Sequence, residues 1–226
     1  MLATYRRRGD PMVDPAARAA AEEILARGRA LADAAETSGA GVEPAYAPER
    51  ERFAAYTHAE IWQQVREALD PAALGETAEA WRTGADTLAE AFQTFADATA
   101  REFARWSGGS AEAASRATRS FVTLGTQAHE VCRTVQRLIE LDRDVAQTIR
   151  AAVPPPARYV PLADPVAEAV LGGRRRMEHE RAAAEVEADV RDIMTYVYSP
   201  TMPATGDSVP RFRPPDPGPT GGSAAR

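Results

Sequence analysis

The sequence has few of the residues that hold metals or form covalent cross-links. It contains one cysteine, Cys132, and three histidines in 226 residues. One cysteine cannot form an intramolecular disulfide. His58, His129 and His179 lie in three separate segments, whereas a zinc site usually takes four ligands. We therefore expect no metal and no bound cofactor.

Large side chains for a thick globular core are also scarce. Aromatic residues make up 7% of the chain, and much of the 44% hydrophobic content is alanine. Alternating β-branched residues, which would predict strands, do not occur in any segment. Narrow apolar seams between long helices suit this composition best, so the fold class is predicted to be all-α.

Long apolar runs and an excess of positive charge are missing as well. No stretch approaches the ~18 apolar residues of a membrane span, and the basic start, MLATYRRRGD, is not followed by the apolar core of a Sec signal peptide. The chain has 27 basic against 33 acidic residues, a net charge of −6. We therefore expect neither a transmembrane segment nor nucleic acid as a partner.

Motifs that carry catalysis are not recognisable. No serine has a nucleophile-elbow context, and no glycine-rich phosphate loop follows a strand. The Glu-x-x-His pairs of a di-metal helical bundle are likewise not found. The sequence predicts a protein that is not an enzyme and has no catalytic, cofactor-binding or metal-binding residues.

Helix boundaries are marked clearly. Asp14-Pro15 places a good N-cap before a proline at the first helical position, and Ser38-Gly39 ends the helix after Thr37. Thr57 and Glu60 form a capping-box pattern ahead of the next apolar run. Further helices are predicted to start at Asp70-Pro71 and Asp164-Pro165.

The central part of the chain predicts a long antiparallel helix hairpin. Its first helix, 72–105, carries Leu74, Trp81, Leu88 and Phe95 at seven-residue intervals. Its second helix must end by Val153, before three prolines. The predicted seam of the second helix is Phe121, Leu124, Ala128, Val131, Val135, Leu138, Val145 and Ile149, with Asp142 at one seam position. About four residues join the two helices, so they must lie side by side.

The junction carries a Trp-x-Gly motif, Trp106-Ser107-Gly108. With this motif at the hairpin tip, the chain resembles the WxG proteins, and more closely the PPE-type proteins, of bacterial type VII (ESX) secretion. The resemblance covers about residues 55–215. It includes the segments YTHAEIWQQVREALDP, LGETAEAWRTGADTLAEAF, ARWSGGSAEAASRATRSF, AAVPPP and DIMTYVYSPTMP.

The resemblance implies a helical bundle exported in the folded state through the type VII machinery, with a small PE- or WxG-like helical partner and no catalysis. Trp106 and Gly108 would form the recognition turn. The family also uses a Tyr-x-x-x-Asp/Glu export signal, and the match here is Tyr56 with Glu60. This match precedes its helix, whereas the family has the signal trailing one, so a capping box with a packed tyrosine is an equally good interpretation.

The predicted organisation has three parts. Residues 1–50 hold an N-terminal helix, either an extra helix of the bundle or a PE-like segment; 51–198 form the PPE/WxG-like bundle of four to five helices; 199–226 form a disordered Pro/Gly-rich tail. We expect a protein made in the cytoplasm and carried to the cell surface or the medium by a type VII system, acting through partner binding or self-association. The alternative is an intracellular helical adaptor or scaffold unrelated to export.

Overall fold

A computed structural model describes residues 15–37, 41–44 and 49–213. These residues form an all-helical bundle around a long hairpin, which confirms the predicted fold class. In chain order the helices are α1 (Pro15–Thr37), α2 (His58–Ala68), α3 (Pro71–Phe103), α4 (Gly109–Ala152), α5 (Pro165–Ile193) and α6 (Ser199–Gly206). A 3-10 turn, Phe53–Ala55, precedes α2, and a π-helical turn, Met194–Tyr198, joins α5 to α6.

The helices begin where the capping residues predict. The Asp70 carboxylate accepts a hydrogen bond from the backbone N–H of Ala72 at 2.9 Å, and Asp164 accepts one from Val166 at 2.9 Å. Each satisfies a backbone donor that the first helical turn leaves without a partner. α1 begins at Pro15 as predicted, while its expected cap, Asp14, lies outside the described residues.

The predicted hairpin of α3 and α4 is confirmed, and small residues bring its helices together. Ala78 and Ala85 are buried, and the ring of Phe92 packs directly over Gly125. His129 Nδ1 lies 2.9 Å from the carbonyl oxygen of Ala85, which fixes the register of the two helices. Alanine and glycine allow the two backbones to approach closely, so the large residues are displaced to the side of the seam.

The seven-residue series in α3 is therefore not the buried seam that the sequence predicts. Leu74, Trp81 and Leu88 are only half-buried, and Phe95 is exposed. In α4 the predicted seam is confirmed at Val131, Leu138, Val145 and Ile149, which are all buried. Phe121 contacts the Phe92 ring of α3, with 5.1 Å between centroids, but it is not buried as the prediction expects. It is 51% exposed, and among the described helices none besides α3 packs at its level.

The hydrophobic core lies at the base of the hairpin, where other helices join α4. α1 packs antiparallel to α4, with Gly28 against Leu141 and Arg27 2.9 Å from Asp144. α2 and the end of α5 close the core from the other sides. The core residues are Ala17, Ala21, Ile24, Phe53, Ile61, Val65, Leu69, Leu141, Val145, Ala146, Ile149, Val153, Val190, Ile193, Met194 and Val197.

The prediction places the start of the disordered tail too early, at residue 199. Residues 199–206 are helical, and Thr201 and Thr205 are buried against the bundle. Pro200 lies in the first turn of α6, where its missing N–H leaves no helical hydrogen bond unmade, and Pro203 lies inside the helix. Residues 214–226 of the predicted tail lie outside the described residues.

The segments after α1 and after α6 are joined to each other. Val42 and Pro210 form an isolated antiparallel bridge, with the N–H of Glu43 donating to the carbonyl of Val209 at 2.8 Å. Arg50 and Asp207 add an ion pair at 2.6 Å. In the part of the chain that the structure describes, no helix is both long enough and apolar enough to cross a membrane.

Candidate functional site

The tip of the hairpin presents an exposed aromatic side chain. Trp106 follows the last turn of α3, is 56% exposed, and packs edge-on against Phe103 with 5.4 Å between ring centroids. The contact with Phe103 covers only part of the indole ring. Most of the indole surface faces solvent at the free end of the molecule's longest hairpin.

Gly108 sets the direction in which α4 leaves the turn. It is the N-cap of α4 and has φ +90°, a conformation that side-chain-bearing residues rarely adopt. Its carbonyl oxygen accepts from the N–H groups of Ala111 and Glu112 at 3.1 and 3.2 Å. The following glycine, Gly109, has no such φ and has open space around it. The Trp-x-Gly spacing thus places the indole and a geometrically required glycine in one turn.

A shallow concave surface lies beside the indole. Phe103 and Trp106 line one side, and the first turns of α4, including Ala111 and Ser115, line the other. Arg116 lies 3.9 Å from Glu112, an exposed ion pair of the kind that contributes little to stability. The residues that line this surface suit contact with another protein's side chains, and they include no nucleophile paired with a base.

One side of the hairpin is left open along its length. Among the described elements, α3 packs against α4 and makes at most marginal contact with any other helix. The large residues displaced from the seam therefore remain partly accessible on this side. We call this surface the open flank; it consists of Trp81, Leu88, Phe95 and Phe121. Phe95 and Phe121 meet edge to face at 5.5 Å.

α1 covers α4 only over the base of the hairpin. Near its end, Leu31 and Ala34 border the same shallow cavity as Thr126 and Gln127. Beyond this level the described part of the hairpin consists of two helices alone. The open flank is therefore widest between Thr126 and the tip.

The Tyr56 and Glu60 pair lies at the other end of the molecule, at the start of α2. Glu60 accepts hydrogen bonds from the N–H and hydroxyl of Thr57, both at 2.8 Å, so the predicted capping box is confirmed. The backbone hydrogen bond from Thr57 lowers the pKa of Glu60 most, and the hydroxyl bond adds to it. Tyr56 is half-buried beside Phe53, and its carbonyl oxygen accepts from Arg191 at 2.7 Å. The structure therefore does not bring this pair near Trp106 and Gly108.

The sequence did not predict a strap that runs back along α5. Residues 154–164 fold against the first half of α5, held by Glu168, which accepts from the N–H of Leu162 and the hydroxyl of Tyr159, both at 2.9 Å. The Leu162 bond is the main cause of the lowered pKa of Glu168. Gly172 leaves room for the Glu168 carboxylate, which a Cβ at this position would displace. These contacts connect residues six and nine apart without any periodic pattern, so the Tyr159 and Glu168 pair gave no signal in the sequence.

Metal-binding geometry is not found in the described parts of the chain, since no three His, Cys, Asp or Glu side chains come together there. Cys132 on α4 is half-buried, and desolvation raises the pKa of its thiol. A raised pKa disfavours the reactive thiolate.

No protein-family model, curated protein or solved structure matches this chain.

Proposed function

We propose that this protein is a substrate or associated secreted component of a type VII (ESX) secretion system, acting through helix–helix association and not through catalysis. The single observation that carries the proposal is the exposed Trp106 beside a conformationally required Gly108, at the free tip of an otherwise uninterrupted hairpin. The sequence resemblance to PPE and WxG proteins rests on the same turn.

The exposure of Trp106 favours a recognition role over a purely structural one. Burial of a large side chain stabilises a fold by about 1.5–3 kcal/mol relative to leaving it exposed. Trp106 is more than half exposed and forgoes much of that stabilisation. An exposed aromatic residue on a rigid turn is well suited to contact a partner's pocket, since tryptophan is enriched among the residues that dominate binding energy.

In the proposal, a small helical partner, PE- or WxG-like, binds the open flank along the half of the hairpin nearer the tip. Its residues Leu88, Phe95 and Phe121 follow the groove between α3 and α4. A partner helix in this groove would complete a third layer that α1 supplies only at the base. Because α1 packs on α4 as part of this base, it functions in the proposal as an extra helix of the bundle.

The proposal does not use Tyr56 and Glu60 as an export signal. Glu60 already stabilises the start of α2 through its capping box, and the pair lies at the opposite end of the molecule from Trp106 and Gly108. We therefore place the export signal on the partner, in keeping with the resemblance, and assign the recognition turn of this chain to Trp106 and Gly108.

The test is secretion of the tagged protein from its native host. Trp106→Ala removes the indole, with Tyr196→Ala as its control, because Tyr196 is also about half exposed but lies far from the tip. Gly108→Ala is paired with Gly109→Ala, which changes the neighbouring glycine without its positive φ. Circular dichroism and thermal unfolding establish that each variant is folded.

The proposal requires that the wild type and both controls reach the medium while folded Trp106→Ala and Gly108→Ala variants stay in the cell. Equal export of all five proteins would show that the turn is not recognised. A wild-type protein that never leaves the cell would favour the intracellular adaptor or scaffold instead.

A further inference from the structure

The first half of α5 exposes large apolar side chains that belong neither to the hairpin tip nor to the open flank. Val166, Val170 and Met177 are 72%, 76% and 66% exposed. Among the described elements, this half of α5 packs against the strap of residues 154–164. Gly172 is buried there, whereas the other buried residues of α5, Val190 and Ile193, lie near the end of the helix. The opposite side of the helix is left without a neighbour.

These exposed residues have the spacing of a helix-packing seam. Val166, Val170, Gly173 and Met177 follow one another at steps of four, three and four residues, the pattern of a coiled-coil interface. We call this surface the α5 seam. Gly173 has open space around its Cα, so it leaves room for a second backbone to approach closely.

The strap holds the α5 seam in a fixed orientation. Glu168 ties the strap to α5 through Tyr159 and Leu162, and the Tyr159 ring lies under the guanidinium group of Arg176 at 5.3 Å. Because these contacts lie on the side of α5 that faces the strap, they rigidify the helix without covering the seam. A rigid surface loses less conformational entropy on binding.

The residues that flank the α5 seam are basic on both sides. Arg174 and Arg181 flank it on one side, and the Arg174 side chain is 81% exposed. Arg176 lies on the other side, 60% exposed, and its guanidinium also pairs with Glu168 at 3.4 Å. Arg174 is 2.9 Å from Glu178, an exposed pair that a partner carboxylate can replace. In helix pairs the charges flanking the seam determine the choice of partner.

A second copy of α5 does not satisfy this pattern. Pairing α5 with itself would place arginines opposite arginines on the flanks of the seam, and like charges across an interface disfavour association. A membrane surface is also a poorer fit, since interfacial helices usually insert aromatic or leucine side chains, whereas the seam consists of two valines, a glycine and a methionine.

We propose that the α5 seam docks an amphipathic helix of another protein, whose apolar residues repeat at three- and four-residue steps and whose flanking positions are acidic. This surface is separate from the open flank and the hairpin tip. The proposal goes beyond the proposed function and does not depend on export.

The test uses the full-length protein and two synthetic helical peptides of about three heptads each. Both peptides carry leucine at the seam positions; one has glutamate and the other lysine at the flanking positions. Binding is measured by fluorescence anisotropy at low and high salt. The acidic peptide is expected to bind at least about tenfold more tightly than its basic twin, with the difference shrinking as salt screens the flanking charges.

Two sets of variants locate the site. Val170→Asp is expected to abolish binding of the acidic peptide, whereas Val160→Asp, at an equally exposed valine on the strap, leaves it unchanged. Reversing the flank with Arg174→Glu and Arg181→Glu together is expected to exchange the preference, so that the basic peptide binds more tightly.

Several results would overturn the proposal. They are equal binding of the two peptides, failure of the acidic peptide to bind, and binding that survives Val170→Asp. Sedimentation that shows a dimer of the wild type lost in Val170→Asp assigns the α5 seam to a second copy instead. Binding to phosphatidylserine-containing vesicles that depends on Val170 assigns it to a membrane surface.

Discussion

Asp142 places a titratable carboxyl group inside the bundle, between α4 and α6. It occupies one position of the predicted α4 seam, and in the structure it faces Thr205 of the same chain. The Thr205 hydroxyl donates a hydrogen bond to Asp142 at 2.6 Å. Desolvation raises the pKa of Asp142 to about 6, and the Thr205 hydrogen bond only partly opposes this effect.

The raised pKa gives a definite sign to the pH dependence of stability. The ordinary pKa of an aspartate in an unfolded chain is about 3.9, so the folded protein holds the Asp142 proton more tightly. The contribution of Asp142 is therefore fully stabilising below about pH 4 and is lost as the pH rises through about 6. It amounts to no more than about 2–3 kcal/mol.

Asp142→Asn is expected to remove this contribution, since the amide stays neutral and its oxygen still accepts from Thr205. The measurement is urea unfolding of the wild type and the variant between pH 4 and pH 8. The variant should gain stability relative to the wild type as the pH rises, and the difference should level off above about pH 7. A pH-independent difference would mean that the Asp142 carboxyl is solvated.

At the scale of elements, the closest approach of α3 and α4 includes Gly125 beneath the ring of Phe92. A Cβ at Gly125 would overlap the ring of Phe92, so Gly125→Ala must push the two helices apart or displace the ring. Overpacking of this kind typically costs about 1–3 kcal/mol. We expect Gly125→Ala to lower the free energy of unfolding despite the better helix propensity of alanine.

Gly84→Ala is the matched control, because Gly84 lies within the neighbouring helix α3 and has open space around it. It should stabilise the protein by up to about 1 kcal/mol through helix propensity alone. Denaturant unfolding followed by circular dichroism measures both variants. If Gly125→Ala were as stable as Gly84→Ala, the helices could not be in the close contact described here.

The same hairpin shows what the sequence could and could not predict. Capping residues such as Asp70 and Thr57 act locally, so the helix starts were correctly predicted. The seven-residue series was misassigned because hydrophobic size alone does not indicate that Ala78 and Ala85 permit the closest approach. α6 is helical despite Pro203 and is packed against the bundle through Thr201 and Thr205, and no local pattern in the sequence reports that packing.

The candidate site was partly predictable for similar reasons. The turn at Trp106 and Gly108 interrupts two periodic patterns, so its place at the tip followed from the sequence. The exposure of the open flank could not be predicted from the sequence, because it depends on how far α1 extends along α4. The Tyr159 and Glu168 strap, which orients the α5 seam, arises from contacts that only the folded chain brings together.

On the scale of the whole molecule, stability is concentrated at one end. The buried core residues of α4 are Leu141, Val145, Ala146 and Ile149, and α1, α2, α5 and the π-helical turn surround them. Between Gly109 and about Thr126, α4 packs against α3 alone among the described elements. One continuous helix thus passes from a densely packed base to a sparsely supported tip.

This arrangement predicts a gradient of hydrogen exchange within α4. Local opening requires less free energy where few apolar contacts are lost, so amides of residues 110–120 should exchange much faster than those of residues 141–149, after correction for intrinsic rates. Both segments belong to the same helix, which makes one the control for the other. Hydrogen-exchange mass spectrometry of the full chain provides the measurement.

The gradient also gives the open flank a role in binding. A partner helix that docks beside Phe95 and Phe121 adds apolar contacts at the end of the hairpin that lacks them. Such a partner should slow exchange in residues 110–120 and leave residues 141–149 nearly unchanged, because the base is already packed. Uniform protection along α4 in the free protein would contradict this account, since the tip would then need no partner to hold its helices together.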